Sequence, residues 1–320
     1  MGLEALLDNP PRTMGAEFEC VTPLMGSGNT MDVQRMIATI LSANGIRAGF
    51  RGYCHNPVRP GHDVEVETDG SVQGNSSLAG ITWIPLEVKT RILQGMGEYQ
   101  RIVPKTLEIL RSLNCKVNTS TGHHLHVGFP EVDDDPTVIR SLYNLVHRFE
   151  PVIYSLVAPS RRNNNFCRPL PDVSKLLHDC RTLECFERNL SRFDRYNGLN
   201  WCHVFTHAPR LEFRYHGGTL DGEKAIHWAR MCTQILNHAA ARSCQASPKQ
   251  VAGDKAGLEK FLTTLGFRVN TKIYSKVCPE LRETGKWLLL HRWKELHPKA
   301  SKSTTTGVVA AAATSNEGEV

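Results

Sequence analysis

Gly15-Ala16-Glu17-Phe18-Glu19, His124-Leu125-His126 and Leu211-Glu212-Phe213-Arg214 share one pattern: polar, ligand-type residues two positions apart, separated by an apolar residue. In a β-strand side chains alternate faces, so positions i and i+2 share a face, about 6 to 7 Å apart. Each stretch then shows acids, imidazoles or a guanidinium on one side and Phe or Leu on the other. Carboxylates facing inward are costly unless a cation or an arginine neutralises them. The spacing therefore predicts a sheet with one apolar face and one face that holds a divalent metal and an anionic substrate.

Working outward, Thr13 to Cys20 is predicted as the first strand, ended by the turn residues 22–28, with a helix capped near Asp32 and stopped by Asn44-Gly45. Residues 46–88 read as strands and turns. They include the strict alternation Asp63-Val64-Glu65-Val66-Glu67-Thr68-Asp69 and a strand from Trp83 to Lys89. Helices are predicted over Glu98 to Leu113, with Pro104 inside, over Pro136 to Leu156 and over Gly222 to Arg242. Two short helices fall within Ser174 to Leu190, and strands at His124 to Phe129 and Leu211 to Tyr215. Strands and helices without regular alternation indicate an α+β protein with an antiparallel or mixed sheet. The expected organisation is a lead over 1–12, a main domain over 13–245, a helical extension over 246–298 and a disordered tail over 299–320, rich in Ser, Thr, Ala and Gly.

The 320 residues are 40% hydrophobic and 22% charged, an ordinary globular composition. The net charge of +6 is spread along the chain and not gathered into a basic run with interleaved aromatics. That argues against a nucleic-acid partner and for an anionic cofactor or substrate. The ten cysteines are irregularly spaced with no CxxC pair, so they are expected to be reduced thiols of a cytosolic protein. No stretch approaches the roughly 20 apolar residues that cross a bilayer, and the first residues, MGLEALLDNPPR, do not read as a leader. A cytoplasmic protein with no membrane partner is the expectation; oligomeric state is unreadable at this level. There is no GxxxxGK[ST] loop, GxSxG elbow or HExxH helix, so any nucleotide chemistry must run through metal and arginine.

Glu17 and Glu19 form an oxygen-rich pair suited to magnesium or manganese; the competing reading is a solvated strand face. His124 and His126 are either ligands of a zinc hydrolase or a buried, hydrogen-bonded pair. Glu87, in Pro85-Leu86-Glu87-Val88, is a third candidate carboxylate, or one half of an ion pair at the core edge. Glu212 and Arg214 stand at a strand end that runs into His216-Gly217-Gly218-Thr219-Leu220-Asp221, where an intrastrand ion pair is the alternative. Arg162, with Asn163 and Asn165, is a candidate phosphate grip in an arginine-rich loop, or simply solvated.

Taken in order, the segments GAEFE at Gly15, GYCH at Gly52, TDGS at Thr68, PLEV at Pro85, TGHHLHVG at Thr121, SRRNN at Ser160, RYNGLN at Arg195 and LEFRYHGGTLD at Leu211 resemble the amidoligase family. This family is a branch of the carboxylate-amine ligases that include glutamine synthetase and glutamate-cysteine ligase. The resemblance covers roughly residues 13 to 240. It implies a curved antiparallel sheet of the glutamine synthetase catalytic type around a site for ATP and magnesium, with manganese as the substitute ion. It further implies Glu17, Glu19, Glu87, Glu212 and His124 as metal ligands, His126 near the nucleotide phosphates, and Arg214 on the phosphate being transferred. Arg162, Asp69 and Ser71 match positions of looser phosphate or substrate contact. The implied reaction is amide formation between a carboxylate and an amine, the substrates being a peptide or amino acid. A guanidino phosphotransferase, a zinc hydrolase and an inactive binding module are the competing readings.

Overall fold

The computed structural model describes residues 11–24, 28–52, 56–74, 81–241, 249–267 and 278–298. Its sheet is built around β1 (Thr13–Pro23), whose even-numbered residues Met14, Ala16, Phe18 and Cys20 are buried among apolar neighbours. The other strands are β2 (Ala48–Phe50), β3 (Val64–Glu67), β4 (Trp83–Thr90), β5 (Leu93–Gln94), β6 (Gly122–Gly128), β7 (Leu199–Asn200) and β8 (Arg210–Gly217). They run in the order β2-β3-β4-β1-β6-β8-β7, with β5 pairing to the start of β1. Every pairing is antiparallel except β2 with β3, so the sheet is mixed, as the irregular alternation of elements predicts.

Helices cover the apolar face. In chain order they are α1 (Thr30–Ala43), α2 (Gly95–Ser112), α3 (Glu131–Asp134), α4 (Thr137–Ser155), α5 (Pro159–Arg162), α6 (Ser174–His178), α7 (Leu183–Leu190), α8 (Gly222–Ala241), α9 (Lys255–Thr264), α10 (Pro279–Trp287) and α11 (Trp293–Leu296). A π-helical turn, Leu288–Arg292, joins the last two. Behind β1, Phe18 stacks on His123 at 4.3 Å, and His123 meets His216 edge-on. His216 lies against Trp228 of α8. These rings form the layer between sheet and helices, and full burial of one such aromatic contributes about 2 to 3 kcal/mol.

Several boundaries move for identifiable reasons. The cap of α1 is Asn29, not Asp32: the Asn29 side chain accepts from the Asp32 N–H while Asp32 reaches back to the Asn29 N–H, a capping box. Helix α2 begins at Gly95, where a φ of +81° turns the chain out of β5. The C-terminal helices dock on the same core. Phe261 of α9 packs against Phe149 of α4, with ring centroids 5.1 Å apart, and Glu283 of α10 pairs with Arg230 of α8 at 2.9 Å. The cysteines depart from expectation: Cys180, in the α6–α7 connection, and Cys185, in the first turn of α7, are disulfide-bonded and not free thiols. Tail residues 299–320, and most of the lead, lie outside the described residues. No described helix is long and apolar enough to cross a membrane.

Candidate active site

The antiparallel register brings the three quoted stretches onto one face. Glu17 stands opposite His124 on β6, Glu19 opposite Glu87 on β4, and His126 opposite Glu212 on β8, with Asn200 of β7 completing the row. Because β1 lies between β4 and β6, its two carboxylates face partners on both sides. Glu17 divides its oxygens between the histidines: Oε2 lies 3.1 Å from His124 Nδ1 and Oε1 lies 3.2 Å from His126 Nε2. His124 Nε2 is 3.6 Å from Glu19, and its Nδ1 is 3.7 Å from Glu212.

Glu19 is further held by the Gly122 N–H, which donates to its Oε2 at 2.6 Å. A Cβ at Gly122 would stand 2.8 Å from His124 Nε2, so only glycine lets backbone, carboxylate and imidazole approach together. Glu212 accepts from the Asn200 side chain at 2.6 Å and from Arg214, whose Nε also donates to the Phe166 carbonyl at 3.2 Å. Asp69, in the turn after β3, spends one oxygen on Ser71 and Val72, in an Asx turn. Ser71 is thus tied into the loop that presents Asp69.

Three overlapping groups emerge, each with ligand atoms within 4.8 Å of one another: Glu17, Glu87 and His124; Glu17, His126 and Glu212; Glu19, Asp69 and Glu87. Their electrostatics differ. Burial alone would raise the Glu17 carboxyl, but His126 and His124 overcome it and hold Glu17 well below the usual carboxylate range. Glu212 is likewise lowered against its burial, by His126, Arg214 and His124. Glu87 is pushed well above its ordinary value, by burial first and then by the charges of Glu17, Asp69 and Glu19. Burial, with the charge of Asp69, also raises Glu19. This end of the face has more negative charge than the protein neutralises, which is the condition a cation relieves.

Glu65 and Glu67 share the alternation but not the condition. Glu65 is paired with Arg51 and Arg59, and Glu67 with Arg51 and Lys89 at 2.8 Å each. Fully countered by cations, they serve as the flank of the site and not as ligands.

Glu87→Gln provides a direct check of this charge imbalance. It is expected to raise the melting temperature of the metal-free protein by roughly 2–4 °C, since a carboxyl that burial and the neighbouring acids hold against ionisation gives way to a neutral amide. The stabilisation gained on adding magnesium should shrink in parallel, and an unchanged magnesium response in differential scanning calorimetry would count against Glu87 as a ligand.

Arg162 is not brought to this face by any hydrogen bond or ion pair among the described residues. Its guanidinium turns back to the Tyr154 and Val157 carbonyls at the end of α4. Its neighbour Arg161 points inward instead, 1% exposed, donating to the Arg214 carbonyl at 2.7 Å, with its positive charge acting on Glu19. Sequence reasoning also missed Asn200 and His203, whose ring lies 6.4 Å from that of His126. Asn200 was present in the RYNGLN segment, but nothing local marks it as a partner of Glu212. A cavity of about 560 Å³ elsewhere, between the start of α8 and the last helices, is lined by Lys224, Trp287, Leu290 and His291 and contains none of these acids.

The fold and the site together define a helix-backed mixed sheet that collects carboxylates, histidines and an arginine on one face. The family model described as "Putative amidoligase enzyme" matches residues 10–236, and the chain belongs to that family. It is accordingly an enzyme, a carboxylate-amine ligase. Among solved structures, a novel glutamine synthase homolog aligns over 93% of this chain and 70% of its own, at 14% identity and a TM-score of 0.44. The ligase PafA, solved in complex with the prokaryotic ubiquitin-like protein Pup, aligns over 89% of this chain and 63% of its own, at 11% identity and a TM-score of 0.33. No curated protein matches the sequence.

Proposed function

We propose that the chain forms an amide or isopeptide bond between a carboxylate and an amine at the expense of ATP, through an acyl phosphate, on a peptide or amino-acid substrate in the cytoplasm. The observation that carries this reading is the arrangement of the three acidic groups, which share Glu17 and Glu87 and each contain at most one histidine. An oxygen-dominated donor set fits magnesium or manganese. A zinc hydrolase built on His124 and His126 would use both in one site, and no group among the described residues contains both.

Glu17, Glu19, Glu87, Asp69, Glu212 and His124 would hold the divalent ions. Bound there, the ions supply positive charge at the phosphate oxygens. Arg214, fixed by Glu212 and by the Phe166 carbonyl, presents its guanidinium beside them for the phosphoryl group in transfer. Its Glu212 contact keeps that guanidinium from swinging into solvent, and the arginine stays charged throughout. His126 lies between Glu17 and Glu212 with its Nδ1 buried and without a hydrogen bond, and would meet the nucleotide phosphates there.

In the reaction a substrate carboxylate oxygen attacks the γ-phosphorus and ADP leaves. The amine, having given up its ammonium proton to solvent, attacks the acyl carbon through nitrogen; the C–O bond to phosphate breaks, the nitrogen loses a second proton, and inorganic phosphate departs. No protein nucleophile is needed.

Release of ADP over many turnovers should therefore require both a carboxylate and an amine. Steady-state assays over a panel of amino acids and acidic dipeptides are expected to show this dependence, and Arg214→Ala to lower kcat/KM by roughly 10²- to 10³-fold. ADP released without any amine, with phosphate retained on a guanidino compound, would instead indicate the phosphotransferase.

A further inference from the structure

The catalytic arginine is tethered to an exposed aromatic cluster. Arg214 Nε donates to the Phe166 carbonyl at 3.2 Å, and the Phe166 side chain is itself 41% exposed. Phe166 meets Tyr196 edge-on, with centroids 5.5 Å apart and planes at 78°. Arg195 lies 5.0 Å from the centre of the Tyr196 ring and donates to its hydroxyl at 2.9 Å. Arg168 pairs with Asp194 beside them.

These groups come from two loops that backbone hydrogen bonds join to the site. The Arg168 N–H donates to the Tyr196 carbonyl at 2.7 Å, the Gly198 N–H to the Arg168 carbonyl at 2.8 Å, and the Arg214 N–H to the Gly198 carbonyl at 2.8 Å. The aromatic pair is thus held at a fixed position relative to Arg214 and Glu212. An exposed Phe on its own needs no explanation. One that meets Tyr edge-on, is braced by an arginine and is tied through its carbonyl to the catalytic arginine is a preorganised contact surface.

Charge selects the occupant. Arg168 is balanced by Asp194, and Arg195 sets a guanidinium against the Tyr196 ring, so the platform carries a cation where the metal face is acidic. An amine substrate arrives as a cation and is repelled by Arg195; a chain bearing carboxylates is attracted. We propose that Phe166, Tyr196 and Arg195 form the docking platform for a peptide that carries the reacting carboxylate, and that the platform selects an aromatic or large apolar side chain next to the acid. The proposal rests on the ligase reading given above.

The test is isothermal titration of the full chain, with magnesium and ADP, by N-acetyl-Phe-Glu and N-acetyl-Gly-Glu, with magnesium-ATP titrated separately. The wild type is expected to bind the Phe peptide roughly 3- to 10-fold tighter than the Gly peptide. Phe166→Ala should remove that preference, Phe166→Tyr should restore it, and Arg195→Ala should weaken both peptides. Magnesium-ATP affinity should stay within about twofold of wild type in all three, which also reports that they are folded. Equal affinity for the two peptides, binding of neither, or a preference retained in Phe166→Ala overturns the platform. If the wild type binds no magnesium-ATP, the ligase reading fails instead, and the peptide titration still decides the platform by itself.

Discussion

Replacing Glu17 by Gln is expected to lower turnover by roughly 10³-fold while the protein remains folded. Glu17 belongs to two of the three acidic groups, and among the described residues it alone is within hydrogen-bond distance of both His124 and His126. Gln keeps the size and one acceptor oxygen but removes the charge that a divalent ion and both imidazoles respond to. The side chain is on the open face of β1 and not in the core formed by Ala16 and Phe18, so packing is untouched. Two readouts separate the outcomes: ADP release at saturating substrates, and the melting temperature. A variant that keeps near-wild-type turnover would mean that Glu17 is no ligand and that the shared-carboxylate arrangement has been misread. A variant that loses activity only because it melts at the assay temperature would be recognised by the second measurement.

Acidification is expected to remove stability through His123. Its imidazole is fully buried, stacked on Phe18, with Nδ1 3.2 Å from the Glu17 carbonyl and Nε2 3.4 Å from the Tyr99 hydroxyl. Such an environment suits the neutral ring, with an N–H donating to the carbonyl. Burial lowers the pKa to about 3. The folded value lies below the unfolded value of about 6.5, so between them the unfolded chain binds the proton and the folded chain does not. Stability is present above about pH 6.5 and falls as the pH drops towards 3, by about 1.4 kcal/mol per unit, or about 5 kcal/mol in all.

His216, held well below its ordinary value by burial and by Arg292, acts in the same direction. Glu150 opposes them. Burial raises it to about 7 despite hydrogen bonds from the Tyr215 hydroxyl and the Leu170 N–H. The folded state therefore holds its proton more tightly, and stability from this group is lost as the pH rises from about 4.5 to 7. His227, lowered to about 4 by burial, acts with the two histidines, while Glu87 and Glu19, both raised, act with Glu150; the loss expected on acidification is the histidines' share. Urea unfolding at pH 7, 6 and 5 should show that loss. His123→Gln, which retains an N–H for the Glu17 carbonyl, should flatten the slope by about 1.4 kcal/mol per unit. An unchanged slope would place the proton uptake elsewhere.

The alternating stretches were legible because strand periodicity is local: Glu17 with Glu19, His124 with His126 and Glu212 with Arg214 share faces whatever their neighbours are. The adjacent pair Arg161-Arg162 was not. Both carry the same charge, and only the packing of α5 against β8 turns Arg161 inward while Arg162 closes off the end of α4. Glu65 and Glu67 repeat the same spacing in the sequence, yet Arg51, Arg59 and Lys89 neutralise them, and that depends on contacts between β2, β3 and β4. The Cys180–Cys185 bond was invisible for a similar reason, since spacing alone does not bring two sulfurs together.

By itself the sequence determined the class of fold, through alternating strands and irregularly interspersed helices, and it determined the chemistry available, because side-chain identity fixes what can bind a hard cation or an anion. The ordered motifs further implied the family. Tertiary structure alone decided which acids meet. Placing β1 between β4 and β6 sets Glu19 beside Glu87 and Glu17 beside His124, and a register slip of one residue would turn all of them into the apolar layer. That register comes from hydrogen bonds between strands distant in the chain and from burial of Phe18, Leu86 and Leu125 on the opposite face, interactions that exist only once the sheet has formed.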